Sequence, residues 1–305
     1  MNPQSLPDTG EYVSPAPGLK GPPASNSSRV RVEFGAATHR GRVRPNNEDS
    51  YLIARAERSL EVLATNIPPG DVPTRSAEVT YGMGVADGLG GSLAGEVASR
   101  LALTAFVNLT LHTPDWIMRG GEAEAERLLE RIAERYRQVG ATITTYAEGD
   151  AALVGMATTM TLAATNGQDL YIGHVGDSRA YICRDGRLVR LTRDHTYAQT
   201  LVDAGLIRED DVRANRCRHI LTRALGPTGD RVDVDVAQGV IHDGDQLLLC
   251  TDGLTGMVSE DKIAALLGHG SATGASQALV DAALAAGGKD NVTVVLARYR
   301  IAPET

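Results

Sequence analysis

Asp87, Asp252 and Asp290 each stand where an apolar, strand-like run meets a tight turn, in VADGLGG, LLLCTDGL and GGKDNVTVVL. A further acidic pair, Glu48 and Asp49, lies in RPNNEDS just before another such run. A carboxylate at the end of a buried strand is held by a rigid element, and a glycine beside it lets a cation or a water approach the backbone. Any single Asp-Gly step is most simply a turn. A set of acids that all begin or end apolar strands asks for more, because a buried carboxylate needs a partner charge or a cation. The set is oxygen-only, and the chain has neither an HExxH pair nor a cysteine cluster, so it fits Mg²⁺ or Mn²⁺ rather than Zn²⁺. Phosphoryl chemistry is the usual work of such sites.

Positioning these acids takes many short strands. Strand-like runs recur beyond residue 30: RVEFGAAT, SYLIARA, TYGMGVAD, TTMTLAAT, DLYIGHVG, SRAYICR, RLVRLT, QLLLCTD and NVTVVLARY. Helical patterns interrupt them at 92–111 (opened by Ser92), 122–147, 197–204, 260–267 and 274–286 (closed by Gly287). In 122–138 the apolar residues Leu128, Leu129 and Ile132 fall at helical spacing among charges, which predicts an outer helix packed on a sheet. Thr196 followed by Gln199 is a capping-box signature, and Gly205 suits a left-handed cap at the other end of that short helix. Helices grouped between runs of antiparallel-style strands predict a layered α+β domain rather than a parallel sheet.

The rest of the chain sets bounds. Among 305 residues, 30 lysines and arginines against 38 acids leave a net charge of −8, which disfavours a protein that grips nucleic acid through its phosphates. Residues 1–29 are rich in Pro, Gly and Ser and poor in periodic apolar content, so the expectation is a disordered tail. The three cysteines, Cys183, Cys217 and Cys250, have no CxxC spacing and read as buried thiols in a reducing compartment. No stretch approaches the ~18 apolar residues of a membrane span, and no signal peptide opens the chain. A cytoplasmic location, with no membrane or nucleic-acid partner, follows as the default. Trp116 is expected to anchor the loop between the two long helices.

The ordered blocks THRGRVRPNNEDS, VADGLGG with AGEVAS, TTMTLAA, YIGHVGDSRAY, LVRLTRDHT, ILTRALG, LLLCTDGLTGMV and KDNVTVVL resemble the PPM family of metal-dependent serine/threonine protein phosphatases, also called type 2C, in its bacterial form. The resemblance covers roughly residues 30 to 300. It implies a four-layer α-β-β-α sandwich of two antiparallel sheets flanked by helices, a catalytic domain over 30–303, and a flap over about 196–223. It also implies two Mn²⁺ or Mg²⁺ ions. Asp87 would bridge them with the Gly88 carbonyl, Asp252 and Asp290 would hold the first, and Glu48 and Asp49 would serve the second in an undecided division. Arg44 matches the arginine that grips the substrate phosphate, a role suited to its forked donors; its plain reading is a surface arginine beside Arg40 and Arg42. Asp177 and Asn291 are expected beside the ligands, although Asp177 can equally be read as closing a hairpin between DLYIGHVG and SRAYICR.

The implied reaction is hydrolysis of phosphoserine or phosphothreonine in proteins by a hydroxide bridging the two ions, without a phosphoenzyme, on a monomer that opposes a serine/threonine kinase of the same pathway. Three positions depart from the pattern. Leu89 stands where some relatives have a histidine proposed to protonate the leaving group. Val154 and Ala157 replace an acid and a glycine near a third metal site, leaving only Asp150 nearby. His195, in RDHT, enters the flap and reads either as a substrate-side group or as a structural hydrogen-bonder, the latter favoured. The flap cations Arg208, Arg213, Arg216, Arg218, His219 and Arg223 would either draw phosphorylated segments or merely be solvated. The competing function is an inactive scaffold of the same fold that binds phosphoproteins, which loss of the carboxylates would mark.

Overall fold

A computed structural model describes residues 29–67, 75–90, 92–112, 122–226 and 232–303. Residues 1–28 of the expected tail, and Trp116, lie outside the described residues. Arg29 already belongs to the folded body, since its Nη2 donates to the Ala302 carbonyl at 2.7 Å.

Two antiparallel sheets face each other. One has the order β1 (Val30–His39), β11 (Val292–Ile301), β10 (Gln246–Cys250), β7 (Arg179–Arg184), β8 (Arg187–Arg190). The other has the order β2 (Asp49–Glu61), β3 (Arg75–Leu89), β5 (Met160–Asn166), β6 (Asp169–Val175), β9 (Asp235–Val240), with the two-residue β4 (Ala157–Thr158) pairing with the end of β3. Outside the second sheet pack α1 (Ser92–His112) and α2 (Glu122–Glu148); outside the first pack α5 (Glu260–Leu267) and α6 (Ala272–Ala285). The result is the α-β-β-α sandwich.

Alternation along single strands shows why the sequence builds these layers. In β10, Leu247 and Leu249 point into the core between the sheets, whereas Leu248 and Cys250 point into the core under α5 and α6. In β11, Val295 and Ala297 face inward while Val294 and Leu296 face the helices. Both faces of these strands are buried, so they read as unbroken apolar runs without a polar side. The second sheet is covered by α2 in the same way: Tyr136 is fully buried, its hydroxyl donates to the Gly173 carbonyl at 2.6 Å, and a Cβ on Gly173 would meet the tyrosine ring at 2.7 Å.

The helical boundaries follow their caps. Thr196 Oγ1 accepts from the Gln199 amide at 3.2 Å, opening α3 (Tyr197–Asp203), and Gly205 takes a φ of +68° at its end. The reciprocal half of the capping box is not made, because the Gln199 side chain reaches Asp203 and Glu209 instead. The last helix begins two residues before the expected 274, where Ser271 accepts from the Gly274 amide. Besides short 3₁₀ turns, β9, whose mostly exposed residues carry no apolar alternation, and the one-turn α4 (Asp252–Thr255) are additional to the elements read from sequence. Strands β2 and β3 also run past the expected ends as a hairpin paired out to Glu61 and Arg75. Cys183 and Cys250 are buried as expected, while Cys217, in a short 3₁₀ turn, is only half-buried. Among the described residues no helix is long and apolar enough to cross a membrane.

Candidate active site

One end of the sandwich gathers the acids. Asp49 opens β2 and lies directly across from Asp87 near the end of β3. Asp252 follows β10, and Asp290 precedes β11, the neighbour of β10. Asp177 lies on the segment that leaves β6 for β7. Those two strands belong to different sheets, so Asp177 does not close a hairpin; it sits where the chain crosses the sandwich toward the acids.

Threonine hydroxyls and backbone amides fix this floor. Thr251 Oγ1 donates to Asp49 Oδ2 at 2.8 Å, and the Thr293 amide donates back to Thr251 Oγ1 at 3.0 Å. Thr293 and Thr38 hydroxyls meet at 2.7 Å. The Asp87 amide donates to Thr159 Oγ1 at 3.0 Å, and Thr158 Oγ1 donates to the Asp87 carbonyl at 2.8 Å. Asn291 pins the first block to β11: its Oδ1 accepts from the Glu48 amide, and its Nδ2 donates to the Arg40 and Asn46 carbonyls. Close approach explains the glycines that follow the acids. A Cβ on Gly88 would strike the Gly95 carbonyl at 2.0 Å, one on Gly95 would strike Glu48 Oε2 at 2.1 Å, and one on Gly253 would strike the Asn291 carbonyl at 1.8 Å.

Burial and mutual repulsion set the protonation of this cluster. Burial, reinforced by Asp252 and Asp290 against the threonine hydrogen bonds, pushes Asp49 up to about 7. Asp87 is pushed well above the usual carboxylate range by burial and then by Asp49, Asp252, Asp177 and Asp290. Asp177 rises for the same reasons, with Asp252 the main charge. Glu48 is raised by burial, with Arg44 opposing. Asp49 Oδ1 is buried with no hydrogen-bond partner. An orphaned carboxyl oxygen inside a knot of like groups is an arrangement that a bound cation would relieve.

The fit is one of donor type and charge, not of finished geometry. Among the described residues no three His, Cys, Asp or Glu side chains are already arranged to hold one ion. Two carboxylates are turned to neighbouring side chains instead: Arg44 donates to Asp290 Oδ2 at 2.7 Å, and His219 Nδ1 lies 3.3 Å from Asp252 Oδ2. Arg44 is accordingly raised, chiefly by its hydrogen bond to Asp290.

Other expected site residues lie apart from the floor. His195 is buried with both ring nitrogens engaged: Nδ1 accepts from the Gly176 amide at 3.1 Å and Nε2 donates to Asp235 Oδ2 at 3.0 Å. Arg223 pairs with Asp233 and Asp235 at 2.9 and 2.8 Å, away from the acidic floor. Between them, the flap neck is closed by Tyr197 donating to the Ile220 carbonyl and Thr222 donating to the His195 carbonyl. Leu89 pairs with Ala157 of β4. Val154 is 73% exposed, and Asp150 is occupied as an N-cap for Ala152. Sequence reasoning missed Thr158, Thr159, Thr251, Thr293 and Gly95, and it placed His219 in the flap without its approach to Asp252. The threonines were legible only as members of motifs: Thr251 and Thr293 beside acids in CTDG and DNVT, Thr158 and Thr159 in TTMTL, which holds no acid and meets Asp87 only in the fold.

The family model for protein phosphatase 2C matches residues 74–286. The serine/threonine protein phosphatase PstP of Mycobacterium tuberculosis is 35% identical over 267 residues, 87% of this chain and 45% of that protein, so the chain spans about half the length of this curated relative. The serine/threonine phosphatase stp of Listeria monocytogenes is 32% identical over 88% of this chain and 95% of its own length. Among solved structures, the catalytic domain of PstP in complex with two manganese ions superposes with a TM-score of 0.69 at 34% identity, covering 89% of this chain and 99% of that one.

Proposed function

Because this chain belongs to the protein phosphatase 2C family, we propose that it hydrolyses phosphoserine and phosphothreonine in proteins with the help of two divalent cations, Mn²⁺ or Mg²⁺. The observation that carries this reading is the cluster of Asp49, Asp87 and Asp177, with the half-buried Asp252 and Asp290 beside it, in which Asp49 Oδ1 has no partner. Asp87, with the Gly88 carbonyl, Asp252, Asp290 and Glu48 would hold the two ions, with Asp252 and Asp290 on one side of Asp87 and Glu48 on the other. Glu48 is the partly open acid of its pair and lies against Gly95, whereas Asp49 is buried beneath and supports the ligands. When bound, such cations supply Lewis acidity, activating water and offsetting charge on the phosphoryl oxygens.

The remaining chemistry belongs to the chain. Arg44, half exposed at the mouth, offers its forked donors to the equatorial phosphate oxygens. The tethers of Asp87 and Asp49 to Thr158, Thr159 and Thr251 keep the floor from relaxing as charge develops. Leu89 has no proton to give, so water protonates the leaving alkoxide. The unit is a monomeric catalytic domain over 30–303 with a flap over 196–223. It works in the cytoplasm on the products of a serine/threonine kinase, without nucleic-acid or membrane partners. A third metal has little to hold it, given Val154 and an Asp150 whose Oδ1 already accepts from the Ala152 amide.

The test is phosphate release from a phosphothreonine peptide across a Mn²⁺ titration, comparing the wild type, Asp252→Asn and excess chelator. Metal-dependent turnover lost in both controls supports the reading. Tight metal binding with no turnover in the wild type would replace it with the scaffold.

A further inference from the structure

The loop of residues 40–44 crosses the chain just before Asp290, and two glycines fix the crossing. Gly41 has a φ of +80°, and a Cβ there would strike the Asp290 carbonyl at 2.2 Å. Gly288 has a φ of +53°, and a Cβ there would meet Arg42 Cγ at 3.1 Å. The Arg42 amide donates to the Gly288 carbonyl at 2.7 Å. Both positions demand a residue without a side chain, so Arg42 and Lys289 are set on either side of the clasp rather than scattered on a loose loop. Arg40, Arg42, Val43, Arg44 and Lys289 are all exposed.

These cations differ in what they already hold. Arg44 is engaged with Asp290, and Arg40 Nη1 donates to the Pro45 carbonyl at 3.1 Å. Among the described residues the Arg42 guanidinium and the Lys289 ammonium make no ion pair. Asp290 follows Lys289 directly, and the Arg42 amide is bonded to Gly288 while Gly41 packs on the Asp290 carbonyl, so both cations flank Asp290 at a separation that a few residues of extended peptide can span. The chain as a whole carries −8, which makes an uncompensated basic rim here a local feature and not a general background.

We propose that Arg42 and Lys289 form an anion subsite that selects phosphoproteins bearing a second negative group, a carboxylate or another phosphate, two to four residues from the residue being dephosphorylated. The inference rests on the phosphatase reading, since Arg44 and Asp290 define where the first phosphate sits. Arg42 offers a bidentate fork and Lys289 a point charge, so the pair accepts either anion, and a phosphate with its higher charge more strongly.

The experiment uses three peptides that share one phosphothreonine and carry alanine, glutamate or a second phosphothreonine three residues away. For each, kcat/KM with Mn²⁺ is measured for the wild type and for the double variant Arg42→Gln, Lys289→Gln. Hydrolysis of p-nitrophenyl phosphate, which reaches no subsite, gives the basal activity. Peptide binding is read in parallel by fluorescence anisotropy. The wild type is expected to favour the anionic peptides by about five- to ten-fold at low salt, as two exposed charge contacts allow. The preference should shrink as salt rises. The double variant should lose it in both kcat/KM and binding, with p-nitrophenyl phosphate unaffected. Equal gains from glutamate and phosphothreonine identify a general anion subsite, and a gain from phosphothreonine alone identifies a phosphate subsite. Equal rates on all three peptides in the wild type, or a preference that survives in the variant, would overturn the proposal. Selective binding without hydrolysis even of p-nitrophenyl phosphate would keep the subsite and sink the phosphatase reading.

Discussion

The floor of the site and the flap beside it are both rich in charge, yet they hold it in opposite ways. On the floor, Asp49, Asp87 and Asp177 are buried and pushed up together, and their neighbours are hydroxyls and amides that orient them without neutralising them. In the flap region nearly every charge with a described partner is matched. Arg223 takes Asp233 and Asp235, and below it Arg179 and Arg190 share Asp194 at 2.6 Å each. A matched charge costs little and says little about function. A buried set left unmatched is costly, and it persists when something outside the chain supplies the balance.

The contrast is tested hardest by removing a floor acid. Asp252→Asn should cut phosphopeptide turnover on the order of 10³-fold. In excess chelator, its melting temperature should hold or rise, because one repelling carboxylate has gone. A fall in both activity and metal-free stability would mean that Asp252 is structural, held there for His219.

The next effect concerns pH. In the metal-free protein Asp49 stands at about 7 instead of 3.8, so between those values the folded chain keeps a proton that the unfolded chain has released. Its contribution to stability is therefore full below the ordinary value and is lost as pH rises through about 7, the reverse of a salt-bridged acid. Asp87 and Asp177 push in the same direction. Urea midpoints measured in chelator from about pH 5 to 8 should fall with pH, Asp49→Asn should flatten the slope, and saturating Mn²⁺ should abolish it. A slope that ignores both changes would remove the floor acids as its cause.

How much of this was legible beforehand depends on whether an element is buried on both faces. β10 and β11 announce themselves as apolar runs because neither side meets water, and the acids at their ends were found through them. β9 is an edge strand with exposed residues, held by its pairing with β6, and nothing in DVAQGV declares that pairing. The far part of the β2–β3 hairpin is hidden for the same reason. At the site, residue types told which groups carry chemistry, while their supports stayed invisible: Thr251 and Thr293 reach Asp49 across 202 residues of sequence in one case and act through a neighbouring strand in the other. The split between Glu48 and Asp49 was open in the sequence, because adjacent residues at a strand start have equal claim; what the fold adds is that Asp49 is buried and Glu48 partly open.

A smaller effect is expected at the joint between the two regions. His195 ties the Gly176 amide, next to Asp177, to Asp235 at the start of β9, and its own carbonyl receives the Thr222 amide from the end of the flap. Its His195→Ala variant leaves a buried amide unpaired and should cost about 1–3 kcal/mol. It should also raise KM for phosphopeptides more than for p-nitrophenyl phosphate, as the flap neck loosens. His195→Asn, whose Oδ1 can take the place of Nδ1, should recover part of the peptide KM. Equal changes for both substrates, without rescue, would reduce His195 to packing alone.

The weakest effect marks the limit of the contrast. Arg223 is only partly exposed, yet its partners Asp233 and Asp235 are largely open to water, 79% and 47% by side chain, so solvent screens both pairs. Arg223→Gln should therefore lower stability by at most about 1 kcal/mol. The His195–Asp235 hydrogen bond does not need the arginine, so phosphopeptide kcat/KM should change by less than about threefold, the kinetic equivalent of less than 1 kcal/mol. A loss of tenfold or more, measured at the same Mn²⁺ concentration, would show that a matched flap charge takes part in the reaction. The distinction between matched and unmatched charge would then no longer separate structural residues from catalytic ones in this protein.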